Sequence, residues 1–504
     1  MTSFDRRTFL HTSMLVTGAG LLGACTHQAP LVRSGDPRIQ AVEATRRSTG
    51  QVRHYTLNAA PGRIDLGGMQ VDTWAFNQTL PGPEIRVRKG DTIEARLVNQ
   101  LPHETSIHWH GMALRNDMDG VPVLTQQAVA AGATFTYRFI ADTSGTFWFH
   151  PHVGVHLDRG LYAPLIIEDP DEPARYDHDW TVVVDDWIDG VGGQTPDKVL
   201  EGLRGMAHGD GSAGHSGHGG GQPAPAMTDG PAMIDAKSDL LGGDAGDVKY
   251  PYHLINGRIA TNPATFTARP RQRARVRFVN AGGDTAYRVA LGGHRMTITH
   301  TDGFPVRPAE ADSFLLGMGE RVDVVVTLAS GVFPLVALAE GKDATGLALI
   351  RTGAGNPPPA TIRPKELNGK LVGYTELTPE PSVLLPEHRP DVEHKLELTG
   401  GEKKYEWTIN GDTFDPEKVR YRIREGQRAR VTFINKTTMW HPMHIHGHTF
   451  QINGKGPRKD TVNVLPNQTV TCDFDANNPG QWMTHCHNIY HAETGMQTTI
   501  GYEA

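Results

Sequence analysis

One pattern occurs three times along the chain and limits the fold more than any other feature. Phe76-Asn77 leads into Ile93-Glu94-Ala95-Arg96-Leu97-Val98-Asn99, Ile255-Asn256-Gly257 into Arg275-Val276-Arg277-Phe278-Val279-Asn280, and Ile409-Asn410-Gly411 into Arg430-Val431-Thr432-Phe433-Ile434-Asn435. Each copy is an asparagine turn followed, 22 to 25 residues on, by the closing asparagine of an alternating strand. Short β-branched strands with turn residues at regular intervals, and few apolar patterns of helix length, read as Greek-key β-sandwiches. At 504 residues the chain is too long for one core; length alone allows two to four domains, and the repeat makes it three. The expectation is an all-β chain with consecutive sandwiches over 51–170, 171–352 and 391–504. A proline-rich stretch, 353–390, forms the linker between the second and third.

Histidine is distributed unevenly over the copies. His-x-His pairs occur at His108/His110, His150/His152, His444/His446 and His485/His487, all in the first and third copies. Side chains two apart on a strand share a face, so each pair presents two imidazoles together while Cys486, between His485 and His487, faces the other way. The second copy has His294 and no pair, which marks that domain as a spacer. Cys486, His491 and Met496 follow one another at five-residue intervals. Thiolate, imidazole and thioether are the ligands of a trigonal His₂Cys copper with a weak axial methionine, and His441 is the candidate for the missing imidazole. A single His-x-His occurs often on surface strands without binding anything; four pairs beside such a run are a different matter. Because the pairs come from opposite ends of the chain, any shared cluster must form where the first and third domains meet, coupling metal occupancy to docking.

These motifs resemble the copper signatures of the multicopper oxidases, in particular the three-domain bacterial laccase and copper-resistance type, and the resemblance spans nearly the whole mature chain. It implies three cupredoxin-like domains and four copper ions. A type-1 copper would be held by His441, Cys486 and His491 with Met496 axial, the last implying a moderate potential. The type-2 ion would fall to His108 and His444. The type-3 pair would take His110, His150 and His487 on one ion and His152, His446 and His485 on the other. Electrons from a reductant would enter at the type-1 copper and leave through Cys486, and dioxygen would be reduced to water at the other three ions. That reduction needs protons, and a carboxylate is the expected donor; Asp119 lies where the family places one, with a plain turn before Gly120 as the alternative. Relatives often carry a second acid between the last cysteine and methionine. Here Asn488, Ile489, Tyr490 and Ala492 occupy that ground and Glu493 is the one carboxylate left. His156 stands where relatives often have glutamine, and a supporting role beside the ligands is expected of it.

The amino terminus reads as a targeting segment over 1–25, followed by a tether over 26–50. Asp5-Arg6-Arg7-Thr8-Phe9-Leu10 before a short apolar stretch resembles a twin-arginine export signal. Leu22-Gly23-Ala24-Cys25 resembles a lipobox that would acylate Cys25, and cleavage with loss of Cys25 is the equal alternative. Periplasm or cell surface is the expected location, with any membrane contact confined to that anchor. Of the remaining thiols, Cys472 reads as a buried strand residue, so no disulfide framework is implied. Forty-nine basic against 56 acidic residues, a net charge of −7, and the lack of a basic run outside the signal argue against a nucleic-acid partner. A monomer is expected.

A glycine-, histidine- and methionine-rich insertion over 205–236 carries Met206, His208, His215, His218, Met227 and Met233. Such a composition cannot build a core, and its soft donors suit copper(I) or silver. Cuprous ion is therefore the favoured reductant, with phenols and aromatic amines as broader donors; a linker that binds metal adventitiously is the competing reading. Laccase, ferroxidase and manganese oxidase activities stay open, as does a copper-storage protein. Storage would not need the His-Cys-His wiring, and a copper nitrite reductase would carry a single His-Cys link.

Overall fold

The computed structural model describes residues 29–206, 233–401 and 404–504. The export segment with Cys25, and His208, His215, His218 and Met227 of the insertion, lie outside the described residues. Six sheets pair into three sandwiches, each around its own apolar core. The sandwiches share one pairing scheme. Val52–Asp65 runs parallel to Thr92–Asn99, His178–Trp187 to Arg273–Asn280, and Val392–Gly400 to Arg428–Asn435. The second member of each pair then meets an antiparallel partner: Thr134–Ile140, Arg321–Thr327 and Thr469–Asp475.

The repeated asparagines explain why the pattern recurs. Asn77, Asn256 and Asn410 all have positive φ, near 50°, a region asparagine tolerates better than most residues. Each side chain then bonds the neighbouring strand twice. Asn77 accepts from the Asn58 amide and donates to the Thr56 carbonyl, Asn256 pairs likewise with Val183 and Thr181, and Asn410 with Glu397 and Lys395. The strand-closing asparagines are equally alike. Asn99, Asn280 and Asn435 each donate to two carbonyls, one four or five residues on and one about 30 residues on: His103 and Val129, Thr285 and Leu316, Met439 and Val464. A shorter or charged side chain could not satisfy both buried carbonyls, which would cost about 1–3 kcal/mol for each group left unpaired.

Two segments pack differently from their expected roles. The stretch expected as a tether is stitched into the body: the Val32 amide donates to Tyr502, the Ala504 amide to Pro30 and the Ser34 hydroxyl to Thr125. Its helix Pro37–Thr45, capped by Asp36, buries Ile39 against the third core. Glu43 accepts from the Ile140 amide and Arg46 pairs with Asp142. Fifteen residues thus join the last strand of the third sandwich to the first sandwich. The hairpin Met233–Ser238/Gly243–Val248, which closes the insertion, buries Ala236, Leu241 and Ala245 in the third core and not in the second. The helix Pro196–Met206, which opens the insertion, places Val199, Leu200 and Leu203 against Val248 and Tyr490.

Candidate metal centre

Strand register gathers the histidines. In the first sandwich His108–His110 runs antiparallel to Gly145–His150, setting His108 opposite His150. In the third, His441–Ile445 lies against Gln481–Cys486, setting His444 opposite His485 and Met443 opposite Cys486. Trp109 and Cys486, the odd members of their triplets, point into the cores of their own sandwiches. The paired imidazoles are left facing each other across the junction, where His108 stacks on His446 at 3.8 Å between ring centres and His110 on His444 at 3.9 Å. Three sets of side chains bring potential donor atoms within 4.8 Å of one another: His108/His110/His444, His110/His150/His487 and His152/His446/His485.

The orientation of each ring shows what the cluster can hold. Nδ1 of His108 donates to the Asp119 carbonyl, Nδ1 of His150 to Pro151, Nδ1 of His444 to Asp460 and Nδ1 of His485 to Cys486. In the first three the other nitrogen, Nε2, is buried and unpaired, as are Nδ1 of His110 and both nitrogens of His487. Nε2 of His485 faces Nε2 of His446 at 3.0 Å and Nε2 of His152 at 3.4 Å. A bare buried nitrogen costs about 1–3 kcal/mol, and so many aimed at one volume are a cradle for cations. Burial and repulsion between neighbouring rings hold His110, His150, His152, His444, His446 and His487 well below the ordinary imidazole value, and burial takes His485 down to about 4. The rings are neutral at physiological pH, the state a metal requires.

A separate site lies deeper in the third sandwich. Cys486 Sγ is 3.6 Å from His441 Nδ1 and 3.7 Å from His491 Nδ1, and the two nitrogens are 3.2 Å apart. Their outer nitrogens are engaged, His441 Nε2 with the Thr437 hydroxyl and His491 Nε2 with Asp247. Met496 is fully buried in the apolar core of the same sandwich, its carbonyl accepting from the Cys486 amide and its own amide donating to the His491 carbonyl. Burial pushes the Cys486 thiol up, so thiolate forms here only against a bound cation. One sulfur and two imidazole nitrogens, convergent and dry, fit copper.

Three profiles described as multicopper oxidase match residues 60–172, 234–354 and 387–503. Multicopper oxidase MmcO of Mycobacterium tuberculosis is 45% identical over 99% of this chain and 98% of its own length. The chain belongs to the multicopper oxidase family. The oxidase is also 26% identical, over the full length of both chains, to a copper resistance protein A homolog of Pseudomonas syringae pv. tomato. Among solved structures, the laccase of Botrytis aclada superposes with a TM-score of 0.70 at 24% identity, covering 91% of this chain and 89% of its own. A multi-copper oxidase of Pseudomonas thermotolerans gives 0.65 at 24% identity, covering 90% and 99%. Membership makes this an oxidoreductase with copper as its cofactor.

The two acids expected in the oxidase lie in different places. Asp119 is fully buried between two rings, one carboxylate oxygen 3.1 Å from His108 Nδ1 and the other 2.9 Å from His446 Nδ1. It touches the histidine cluster from behind and holds two rings with Nε2 forward. Glu493 is not brought to that cluster. The turn after Cys486 carries it to the Cys486 side, where it lines a cavity of about 470 Å³ with Arg204, Tyr405, Glu406 and Gln497. Burial raises its carboxyl to about 6, partly offset by Arg204. His156 packs its ring edge-on to Trp74 at 4.9 Å, and burial lowers it to about 4.

Sequence reasoning missed the oxidase residues that orient ligands without ligating. Asp247 bonds His491 and also accepts from the Tyr405 hydroxyl. Asp284 receives Lys342, the Asp247 and Val248 amides and the Asn488 side chain, and Asn488 caps the helix that carries His491. Asp460 and Thr461 meet His110 Nε2 at 3.1 Å each. None of these stands in a local motif; single acids carry no signal until their partners, 36 to 351 residues distant, are known.

Proposed function

We propose that the chain couples one-electron oxidation of a small donor, with cuprous ion favoured over phenols and aromatic amines, to the four-electron reduction of dioxygen to water. The observation that carries this reading is the His485-Cys486-His487 triplet. Its thiol turns into the His441/His491 site while its two imidazoles turn into the histidine cluster, so both sites share one short covalent path. In this reading His441, Cys486, His491 and Met496 hold type-1 copper and His108 and His444 hold the type-2 ion. His110/His150/His487 and His152/His446/His485 hold the type-3 pair; the three-histidine groupings support that division. Bound copper supplies the one-electron steps and the site of oxygen reduction. The protein's part is to keep eight imidazoles aimed, to keep water from Cys486, and to place Asp119 against two rings of the cluster, where it is the proton donor in this reading. Glu493 has no such part.

Support for a metal-ion donor comes from the ends of the 205–236 insertion. Its opening helix ends beside the Cys486 site, where Arg204 donates to the Glu493 carbonyl. Its closing strand delivers Asp247 to His491 at 2.9 Å. A soft-donor segment tied at both ends to the entrance of the electron-accepting site suits capture of a cuprous ion. Export by the twin-arginine route to the periplasm or cell surface, with or without acylation of Cys25, and action as a monomer complete the reading. Among the described residues no helix is long and apolar enough to cross a membrane.

The test combines copper content, the blue thiolate-to-copper absorption and oxygen uptake with cuprous, ferrous and phenolic donors. The reading expects four ions per chain, and loss of both the blue band and oxygen uptake in Cys486→Ser. It also expects cuprous rates to fall, with phenol rates kept or raised, when residues 205–236 are removed. Fewer than four ions, or oxygen uptake surviving in Cys486→Ser, refutes the reaction. Equal cuprous rates without the insertion refute the donor.

A further inference from the structure

Among the described residues the second sandwich contributes no histidine to the cluster, yet one of its side chains reaches it. Arg321 is completely buried. Its Nε donates to the Thr146 carbonyl of the first sandwich at 3.0 Å, and its two terminal nitrogens fork onto the two oxygens of Asp460 of the third sandwich at 2.7 and 2.5 Å. Asp460 in turn faces two cluster rings. Its carboxylate accepts from His110 Nε2 and from Thr461 Oγ1, and its backbone carbonyl accepts from His444 Nδ1 at 2.8 Å. The neighbouring loop of the second sandwich closes over the same rings. At Gly319, with φ +81°, a Cβ would lie 2.9 Å from His487 and 3.1 Å from His110; at Gly111 a Cβ would strike Arg321 at 2.4 Å.

We propose that Arg321 is a positioning residue of the type-3 copper site, fixing through Asp460 the tautomer and ring orientation of His110. The proposal rests on the ligand assignment made above. The guanidinium fork engages both oxygens of Asp460 and fixes one of them as the acceptor facing His110 Nε2 at 3.1 Å. His110 must therefore carry its proton on Nε2, leaving the lone pair on Nδ1, the nitrogen that is buried and unpaired toward the cluster. This reverses the arrangement in His108, His150 and His444, which bond outward through Nδ1 and present Nε2. Without the fork, Asp460 would lose the two bonds that hold its carboxylate against His110 Nε2, and the ring would be free to turn its Nδ1 lone pair away from the cluster. Lysine would keep the charge but not the two parallel bonds. The domain without ligands thus sets one ligand's geometry.

The test uses the copper-loaded full chain with Arg321→Lys, and Arg275→Lys as control. Arg275 is a buried arginine of the same sandwich, paired with Asp323 and Glu172. In Arg321→Lys the blue absorption should persist while copper of the type-3 pair becomes easier to remove by chelator, by about 10- to 100-fold. Paramagnetic resonance should show extra copper signal as the pair loses coupling. Arg275→Lys should match wild type in both. Arg321→Gln, which keeps one amide donor without the charge, is the second variant if the lysine protein does not fold, and the same selective loss is expected. Chelator and resonance behaviour equal to wild type in the folded Arg321 variant overturns the proposal. A wild-type protein with no magnetically silent pair would instead overturn the ligand assignment.

Discussion

Copper-free protein should be acid-labile well above the pH at which ordinary carboxylates titrate. Eight of the ten cluster and Cys486-site imidazoles are held below the usual 6.5: His110, His150, His152, His441, His444, His446 and His487 well below it, and His485 at about 4. Burial is the first cause in each case. A histidine depressed on folding contributes stability that is present above the unfolded value and lost as pH falls below it. At pH 5.5 the unfolded chain gains about 1.4 kcal/mol per imidazole that the folded chain leaves neutral, since one pH unit corresponds to that energy. Over eight rings the sum, on the order of 11 kcal/mol, rivals the roughly 5–15 kcal/mol that holds a domain folded. The first and third sandwiches meet at these rings, so their junction should open first. Bound copper competes with protons for the same nitrogens and should protect. Thermal melts of apo and copper-loaded protein between pH 7.5 and 5 measure the effect: the apo midpoint should fall steeply below pH 6.5, and the loaded midpoint much less. An apo midpoint that stays level to pH 5 would show that the buried imidazoles accept protons without cost, and the reasoning would fail.

Two further outcomes follow from the acids. Asp119→Asn leaves one carbonyl where His108 and His446 had two acceptors, so turnover should fall about 10- to 100-fold while the blue absorption is kept; a donor role also requires the pH profile of turnover to shift, and an unchanged profile leaves Asp119 with orientation alone. Glu493, raised from 4.5 to about 6, stabilises the fold when protonated, and that contribution is lost as pH rises through about 6. Glu493→Gln should therefore be the more stable protein at pH 7.5, by up to about 2 kcal/mol, with no gain at pH 4.5. Melts at the two pH values decide it.

The sandwiches were legible because their signal is local. Asn77, Asn256 and Asn410 recur at one place in the repeat since the backbone turns left-handed there, and a side chain that both donates and accepts must clamp the adjoining strand. The histidine pairs were legible for a similar reason: period-two alternation puts His444 beside His446, and His485 beside His487, before any partner strand is known. The place of Glu493 was not legible because its distance along the chain from His487 says nothing of direction, and the short helix Ile489–Glu493 carries it to the Cys486 side. The segment expected to be a tether carries an ordinary polar composition; its role depends on bonds from Val32 to Tyr502 and from Ser34 to Thr125, the latter 91 residues apart in the chain.

Residue type and spacing alone determined the repeated sandwich pattern, the pairing of histidines on shared strand faces and the covalent link of Cys486 to its two neighbours, because covalent adjacency and strand periodicity do not depend on what packs alongside. Tertiary structure decided which nitrogen of each ring faces the cluster and which carboxylates hold it there. It also brought the second sandwich to the histidine cluster through Arg321. Some of these hydrogen bonds are local, as between His150 and Pro151, but those between Asp460 and His110, between Asp119 and His446 and between Arg321 and Asp460 join residues 139 to 350 positions apart, and only docking of the three cores brings such partners within reach.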